Sequence, residues 1–283
     1  MKSVAAFLVC VFLIFQHICY ASERNTVMST INNDYYCEDL NSVIEAISEI
    51  DTSMRDEEYL KSVFSCLDEH SEYYTPDEYV SQLVTGNSGM ISASLYKNEI
   101  EVKINRFADG AEDTFFEYAD KCEQEGIRKL TLDLTECPGG YVHVMNAIAN
   151  VIMPKGRIMI AKFKNSERVY CSESEKCPFD EIIVKVSSHT ASAAEILAAG
   201  LQDSGAAKVV GVNTYGKTSI QSLHRLESGA AFKITSGEYL TRNGSDISKT
   251  GVIPDIVDYS YPIKIRWNDC CKEILKNNEA VGE

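Results

Sequence analysis

From Ile91 onward the chain alternates short β-rich runs with helical ones, and this restricts its fold more than any other feature. "EIEVKINRF" alternates with period two, as a half-buried strand does, and Asp113 to Glu125 reads as a helix stopped by Gly126. "KLTLDL" is a short buried strand that halts at "TECPGG", after which Tyr141 to Ile152 has helical spacing. "EIIVKV" is the next strand and runs into "SSHTASAAEILAAGLQDSG", a small-residue helix with a polar start. "AKVVGV", "TYGKTSIQ" and "AAFKITSGEYLTR" supply later strands and turns. Strand and helix in succession imply an α/β core. No internal repeat or low-complexity linker interrupts it.

Residues 38 to 85 follow a different rule. Leu40, Val43, Ile44 and Ile47 recur at helical spacing, and Tyr59, Leu60, Val63, Phe64 and Leu67 do so again. "TPDE" opens a third segment, with Thr75 as cap, Pro76 in the first helical position and Glu78 completing a capping box. Helices this amphipathic must cover an apolar surface.

The first residues form a third region. Lys2 precedes the apolar run "VAAFLVCVFLIF", which is too short for a comfortable membrane span, and Ala21 in "CYAS" is a small residue at a cleavage position. The reading is a secretory signal peptide, with an uncleaved anchor as the alternative. Beyond it lie Cys37, Cys66, Cys122, Cys137, Cys171, Cys177, Cys270 and Cys271, an even set that in an exported chain points to disulfides. Cys171 and Cys177 flank "SESEK", read as a hairpin tip, and are the expected local pair; free buried thiols are the alternative. Neither cysteine nor histidine spacing matches a structural zinc site, and no metal or cofactor is expected. Asn243 in "NGS" fits a glycosylation acceptor. A formal net charge of -15 disfavours nucleic acid or an anionic membrane surface as partner.

Three places have the residue types that acyl chemistry needs. Ser192 follows a strand at the start of a helix, where free amides and the helix dipole favour a developing negative charge. An ordinary capping serine looks the same, and Thr190 and Ser188 compete for that role. "CPGG" brings Gly139 and Gly140 to a strand end, where glycine lets the backbone turn and present its amides. A plain Pro-Gly loop is the bland alternative. Lys217 in "TYGKTSIQ" can take a proton from a serine only if it is neutral, and Gln221 four residues on can orient its amine without adding charge. No histidine fits a Ser-His-Asp scheme, and the Gly-x-Ser-x-Gly elbow of other acyl-transfer enzymes is missing around Ser192.

Together, "KLTLDLTECPGGYVHVMNAIANVIMPKG", "HTASAAEILAAGLQDSGAAKVVGVNTYGKTSIQ" and "GVIPDI" resemble the C-terminal processing peptidases, or tail-specific proteases, with a weaker echo in "CLDEHSEYYTPDEYVSQL". The resemblance implies an α/β fold, a crotonase-like core of mixed sheet and helix with a small N-terminal helical segment. It implies a serine endopeptidase acting on protein or peptide substrates without a cofactor. Residue by residue it places the nucleophile on Ser192, the base on Lys217, the supporting glutamine on Gln221 and the oxyanion-hole amides on Ala193 with Gly139 or Gly140. The flanking family serines become Thr190 and Ala194, and Asp203 matches an aspartate often found in the family. Only a short stretch separates "VSQLVTGN" from the strand at Glu99, which leaves no room for the family's peptide-binding PDZ domain.

The expected organisation is therefore a signal peptide over 1–21, a helical segment over 22–90, a peptidase core over 91–258 and a tail over 259–283. Export implies a secreted or periplasmic protein with no membrane span after signal removal. The competing function is a non-catalytic peptide- or ligand-binding protein on the same fold, which retention of Ser192, Lys217 and Gln221 disfavours.

Overall fold

The computed structural model describes residues 23–84 and 90–261. The signal-peptide reading, Cys270 and Cys271 fall outside them. The described residues form two compact units, one of residues 23–84, 159–171 and 218–246 and the other of residues 90–158, 172–217 and 247–261.

The first unit begins with helical residues 23–34, called α1. The expected helices follow as α2 (Leu40–Ser48) and α3 (Asp56–Ser65). Asp39 caps α2 by accepting from the Ser42 amide at 3.1 Å, and three acidic residues in the first turn of α3 suit its dipole. After strand β1 (Glu72–Tyr74) the Thr75–Glu78 capping box forms as expected. It opens only one turn of α-helix, α4 (Pro76–Tyr79), which continues as a π-helical turn over Val80–Val84. The apolar stripes of these helices cover strands β9 (Ser219–Arg225) and β10 (Ala231–Leu240), where Ile31, Leu60, Val63 and Phe64 share a core with Phe232 and Ile234. The sheet runs β1-β10-β5-β6 with β9 also on β10, where β5 is Gly156–Phe163 and β6 is Ser166–Ser172. The β9–β10 register slips between Thr235 and Gly237, a bulge opposite Gln221 and Ile220.

The second unit is the alternating core. Strands β2 (Ile91–Tyr96), β3 (Glu99–Ile104), β4 (Lys129–Asp133), β7 (Glu181–Val186), β8 (Lys208–Gly211) and β11 (Ile256–Val257) form a sheet of order β11-β8-β7-β4-β3-β2. Every pair is parallel except β2–β3. The parallel pairs need crossovers, and α5 (Ala111–Glu125), α6 (Val142–Ile152) and α7 (Ala193–Asp203) lie in them. Gly126 ends α5 in the left-handed conformation, φ 72°, as its position in sequence implies. Helix α7 is buried from Ala193 to Leu201, so its small side chains let it sit inside the core rather than on it. The mixed α/β reading holds, with two sheets.

One expectation fails. The six described cysteines, Cys37, Cys66, Cys122, Cys137, Cys171 and Cys177, are free thiols, and the Cys171–Cys177 bridge is not formed. The "SESEK" stretch is not a hairpin tip: β6 ends in one sheet and β7 begins in the other, so the stretch is a connection between sheets. The Cys177 sulfur instead accepts from the Phe179 amide at 3.4 Å.

Candidate active site

Neighbouring parallel strands end at the same edge of a sheet, about 4.8 Å apart, so the loops that follow β4, β7 and β8 must emerge side by side. These three loops hold "CPGG", the approach to Ser192 and the "TYGK" stretch. Hydrogen bonds lock them together: the Ala191 amide donates to the Cys137 carbonyl at 3.0 Å, and the Tyr215 amide donates to the Thr190 carbonyl at 2.9 Å. The Thr190 hydroxyl donates to the Leu134 carbonyl at 2.8 Å and accepts from the Ser187 amide at 2.9 Å, so its oxygen fastens the loops rather than capping α7.

Ser192 stands immediately before α7, and its backbone has φ 55° and ψ -122°. It is the one non-glycine residue with positive φ among the described residues. Ser192 caps α7 in a capping box with Glu195, but an ordinary N-cap has extended backbone, so capping alone does not account for the positive φ. Holding a serine there costs about 1–3 kcal/mol, strain of the kind found at functional sites. The chain turns sharply from loop to helix at Ser192, without the glycines of a Gly-x-Ser-x-Gly turn.

Glycines lie opposite Ser192 instead. Gly139 and Gly140 have φ 105° and 141°. A Cβ on Gly139 would lie 2.9 Å from the Ser192 Cβ and 2.8 Å from the Ala191 carbonyl oxygen; one on Gly140 would lie 2.1 Å from the Phe107 carbonyl oxygen. Both positions therefore require glycine for close approach as well as for conformation. The Phe107 amide donates to the Gly139 carbonyl at 2.9 Å, and the Tyr141 amide donates to the Phe107 carbonyl at 2.6 Å, which fixes the turn. The Ala193 amide nitrogen lies 3.1 Å from the Cβ position on Gly139, so the amides of Gly139, Gly140 and Ala193 gather at this contact. These are the donors named for an oxyanion hole, on the two sides of the Gly139–Ser192 contact.

Glu195 holds the arrangement together, and reasoning from the sequence passed it over as a site residue. It is fully buried on α7. Its Oε1 accepts from the Gly216 amide at 2.6 Å and from the Thr214 hydroxyl; its Oε2 accepts from the Ser192 and Lys217 amides, each at 2.8 Å. The Ser192 and Lys217 backbone nitrogens therefore lie within twice that distance of each other. The Thr214 oxygen accepts in turn from the Val252 amide at 2.7 Å, which commits its proton to Glu195. Burial pushes the Glu195 carboxyl above its usual range, while the donors from Thr214, Gly216, Lys217 and Ser192 pull the other way. The available signal was a lone carboxylate in "ASAAEILAAG", where each neighbour is small or apolar.

The other named residues separate. Lys217 is the last residue of its segment in the second unit, anchored through its amide as above. Gln221 belongs to the first unit, on β9, where its Nε2 donates to the Ser219 hydroxyl at 2.9 Å and to the Thr235 hydroxyl at 3.3 Å. Asp203 ends α7 at the far end from Ser192, about 16 Å along an 11-residue helix, and is not brought to the serine. Cys137 borders the glycine turn, but it is fully buried and burial pushes its thiol up to about 12, so it is a neutral packing group rather than a rival nucleophile. No group of three or more metal-ligating side chains occurs among the described residues.

An α/β core with a strained serine facing amide-bearing glycines defines a class, proteins equipped for acyl transfer at a serine. The profile of peptidase family S41 matches residues 101–258, and the chain belongs to that family. It is 32% identical over 158 residues to "Carboxy-terminal processing protease CtpA" of Bacillus subtilis, covering 55% of this chain and 34% of the relative. It is also 32% identical over 163 residues to the "Carboxyl-terminal-processing protease" of Picosynechococcus, covering 57% of this chain and 39% of that one. The chain thus aligns with only about a third of the length of these relatives. Among solved structures, a photosystem II D1 C-terminal processing protease matches 56% of this chain and 42% of its own at 27% identity and TM-score 0.50. A lipoprotein from Streptococcus agalactiae shares the fold over 89% of this chain and 94% of its own, with TM-score 0.63 and 14% identity.

Proposed function

We propose that this protein is a serine endopeptidase of the C-terminal processing type, in which Lys217 takes the proton of the Ser192 hydroxyl as that oxygen attacks a peptide carbonyl. The C–N bond then breaks, the proton passes to the leaving amine, and water releases the acyl-enzyme with Lys217 again as base. The amides of Ala193 and of Gly139 or Gly140 hold the negative charge that grows on the attacked oxygen. Gln221 supports the amine. The observation that carries the reading is the Glu195 carboxylate, which ties the backbone of the strained Ser192 to the backbone of Lys217. The Ser192–Glu195 half of the link is a helix capping box; the half that reaches Lys217 is what an ordinary cap does not include.

The catalytic core of this enzyme is residues 91–258, preceded by a helical segment over 22–90, with residues 1–21 as an export signal and 259–283 as a tail. Without a PDZ domain between segment and core, selection of substrate C-termini is loose. Incubation with an unstructured peptide library, with cleavage products followed by mass spectrometry, tests this. Wild type is expected to cut; Ser192→Ala and Lys217→Ala are expected to be inert. Cutting by either variant at the wild-type rate would remove the dyad.

A further inference from the structure

A glutamine supports a lysine base best with its carbonyl oxygen, which accepts from the amine, leaves the amine's single lone pair for the serine proton, and still suits the ammonium that forms, which has donors and no acceptor. Something must therefore decide which end of the Gln221 amide points where. The first unit contains a chain of hydrogen bonds with a definite direction. Gln221 Nε2 donates to Thr235 Oγ1 at 3.3 Å, and Thr235 Oγ1 donates to Asp68 Oδ1 at 3.0 Å. The second bond commits the Thr235 proton to the carboxylate, so only oxygen lone pairs remain to face Gln221. The NH2 end must point at Thr235 and the carbonyl end away from it. Ser219 Oγ, 2.9 Å from the same nitrogen, is a second acceptor for that NH2.

The far end of the chain is held as firmly. Asp68 accepts from the His70 amide at 2.8 Å and from the Ser71 hydroxyl at 2.9 Å, while its own amide donates to the Tyr35 hydroxyl at 2.9 Å. Ser71 Oγ also accepts from the Thr235 amide at 3.0 Å, so backbone and side chain of Thr235 are both tied to the turn after α3. Thr235 is 7% exposed and stands beside the β10 bulge, directly across from Gln221 on β9. Bulges re-aim side chains, and here one follows the residue that contacts Gln221.

We propose that Asp68 and Thr235 are positioning residues of the peptidase site, fixing the Gln221 amide with its carbonyl oxygen presented to a donor. The inference rests on the reading of Gln221 as the support of Lys217. It gives the "CLDEHSEYY" stretch, far from the catalytic motifs in sequence, a part in the reaction.

The test measures kcat and KM on a disordered casein for the wild-type chain and for Thr235→Val, Thr235→Ser, Gln221→Ala and the Gln221→Ala/Thr235→Val double variant, with a melting temperature for each. Thr235→Val keeps the shape and removes the hydroxyl; its kcat is expected to fall about tenfold with KM within about twofold, the loss of one oriented hydrogen bond. Thr235→Ser is expected to restore kcat to within about twofold of wild type. In the Gln221→Ala background Thr235→Val is expected to cost nothing further, because a residue that acts through Gln221 has nothing left to act on. An unchanged kcat in Thr235→Val, or the same loss with and without Gln221, would overturn the proposal. Asp68→Asn, one bond further away, is expected to repeat the pattern with a smaller loss and serves if Thr235→Val does not fold. Normal cutting by Lys217→Ala would sink the dyad but leave the Thr235–Gln221 coupling readable, so the two failures are distinct.

Discussion

A single carboxylate does most to explain how Ser192 keeps an unfavourable backbone. Its amide is one of four donors that converge on Glu195, and three of the four are main-chain groups that no side-chain movement can redirect. Glu195→Gln keeps the shape but turns one oxygen into a donor facing two donors. Leaving such groups unpaired costs about 1–3 kcal/mol each, so this variant is expected to melt at a lower temperature and to lose at least about tenfold in kcat. Calorimetry and a peptide-cleavage assay check the two parts; a fully active Glu195→Gln would contradict the clamp. Gly140→Ala tests the opposing turn. Its Cβ would lie 2.1 Å from the Phe107 carbonyl oxygen, so the turn must open and activity is expected to fall below detection even where circular dichroism reports folded protein.

The turn between α3 and β1 connects to β10 through Asp68, and its stability has a pH signature. Burial alone would raise the Asp68 carboxyl, but hydrogen bonds from the His70 amide and from the Ser71 and Thr235 hydroxyls hold it below the ordinary range. A carboxyl depressed in the folded state stabilises the fold above its unfolded pKa of about 3.9, and that contribution disappears as pH falls through the lower folded value. Wild type is therefore expected to lose stability below about pH 4 more steeply than Asp68→Asn, with the curves differing by a constant amount at neutral pH. Urea unfolding between pH 6 and the acid limit measures it, and parallel curves throughout would refute the assignment. Helix α7 obeys a different constraint. Leu197 and Leu201 are fully buried on it, and Leu197→Ala is expected to cost about 2–5 kcal/mol through transfer and cavity terms.

Taken whole, the chain is strongly acidic, with 42 Asp and Glu against 27 Lys and Arg. A field of that sign gathers basic substrates and is screened within about 10 Å at 0.1 M salt. For a peptidase, kcat/KM on a lysine-rich peptide is expected to fall severalfold between low and physiological salt, while that on a glutamate-rich peptide of equal length stays level or rises. Stopped-flow fluorescence with quenched peptides separates the two. No helix among the described residues is long and apolar enough to cross a membrane.

Sequence by itself determined the elements whose cause is local. The strands β3, β4, β7 and β8 and the helices α2, α3, α5, α6 and α7 are readable because burial imposes period two or 3.6 on neighbouring residues, and Gly126 and the Thr75–Glu78 box mark ends through their own backbone chemistry. It also supplied Ser192, Lys217 and the glycine pair as candidates, since those residue types bear the chemistry. Only the tertiary structure decided what depends on partners far along the chain. The hairpin β5–β6 and the short β1 show no clear period; β1 and β5 take their places by pairing with β10, and β6 by pairing with β5. Cys171 and Cys177 do not form the local pair, and "SESEK" joins two sheets rather than two arms of one hairpin. The strain at Ser192 and the clamp of Glu195 follow from three loops emerging at one sheet edge, a consequence of strand order that no local window contains. A carboxylate in an apolar helix is visible in the sequence, but the amides that surround it come from Ser192, Gly216 and Lys217, and only folding brings them to it.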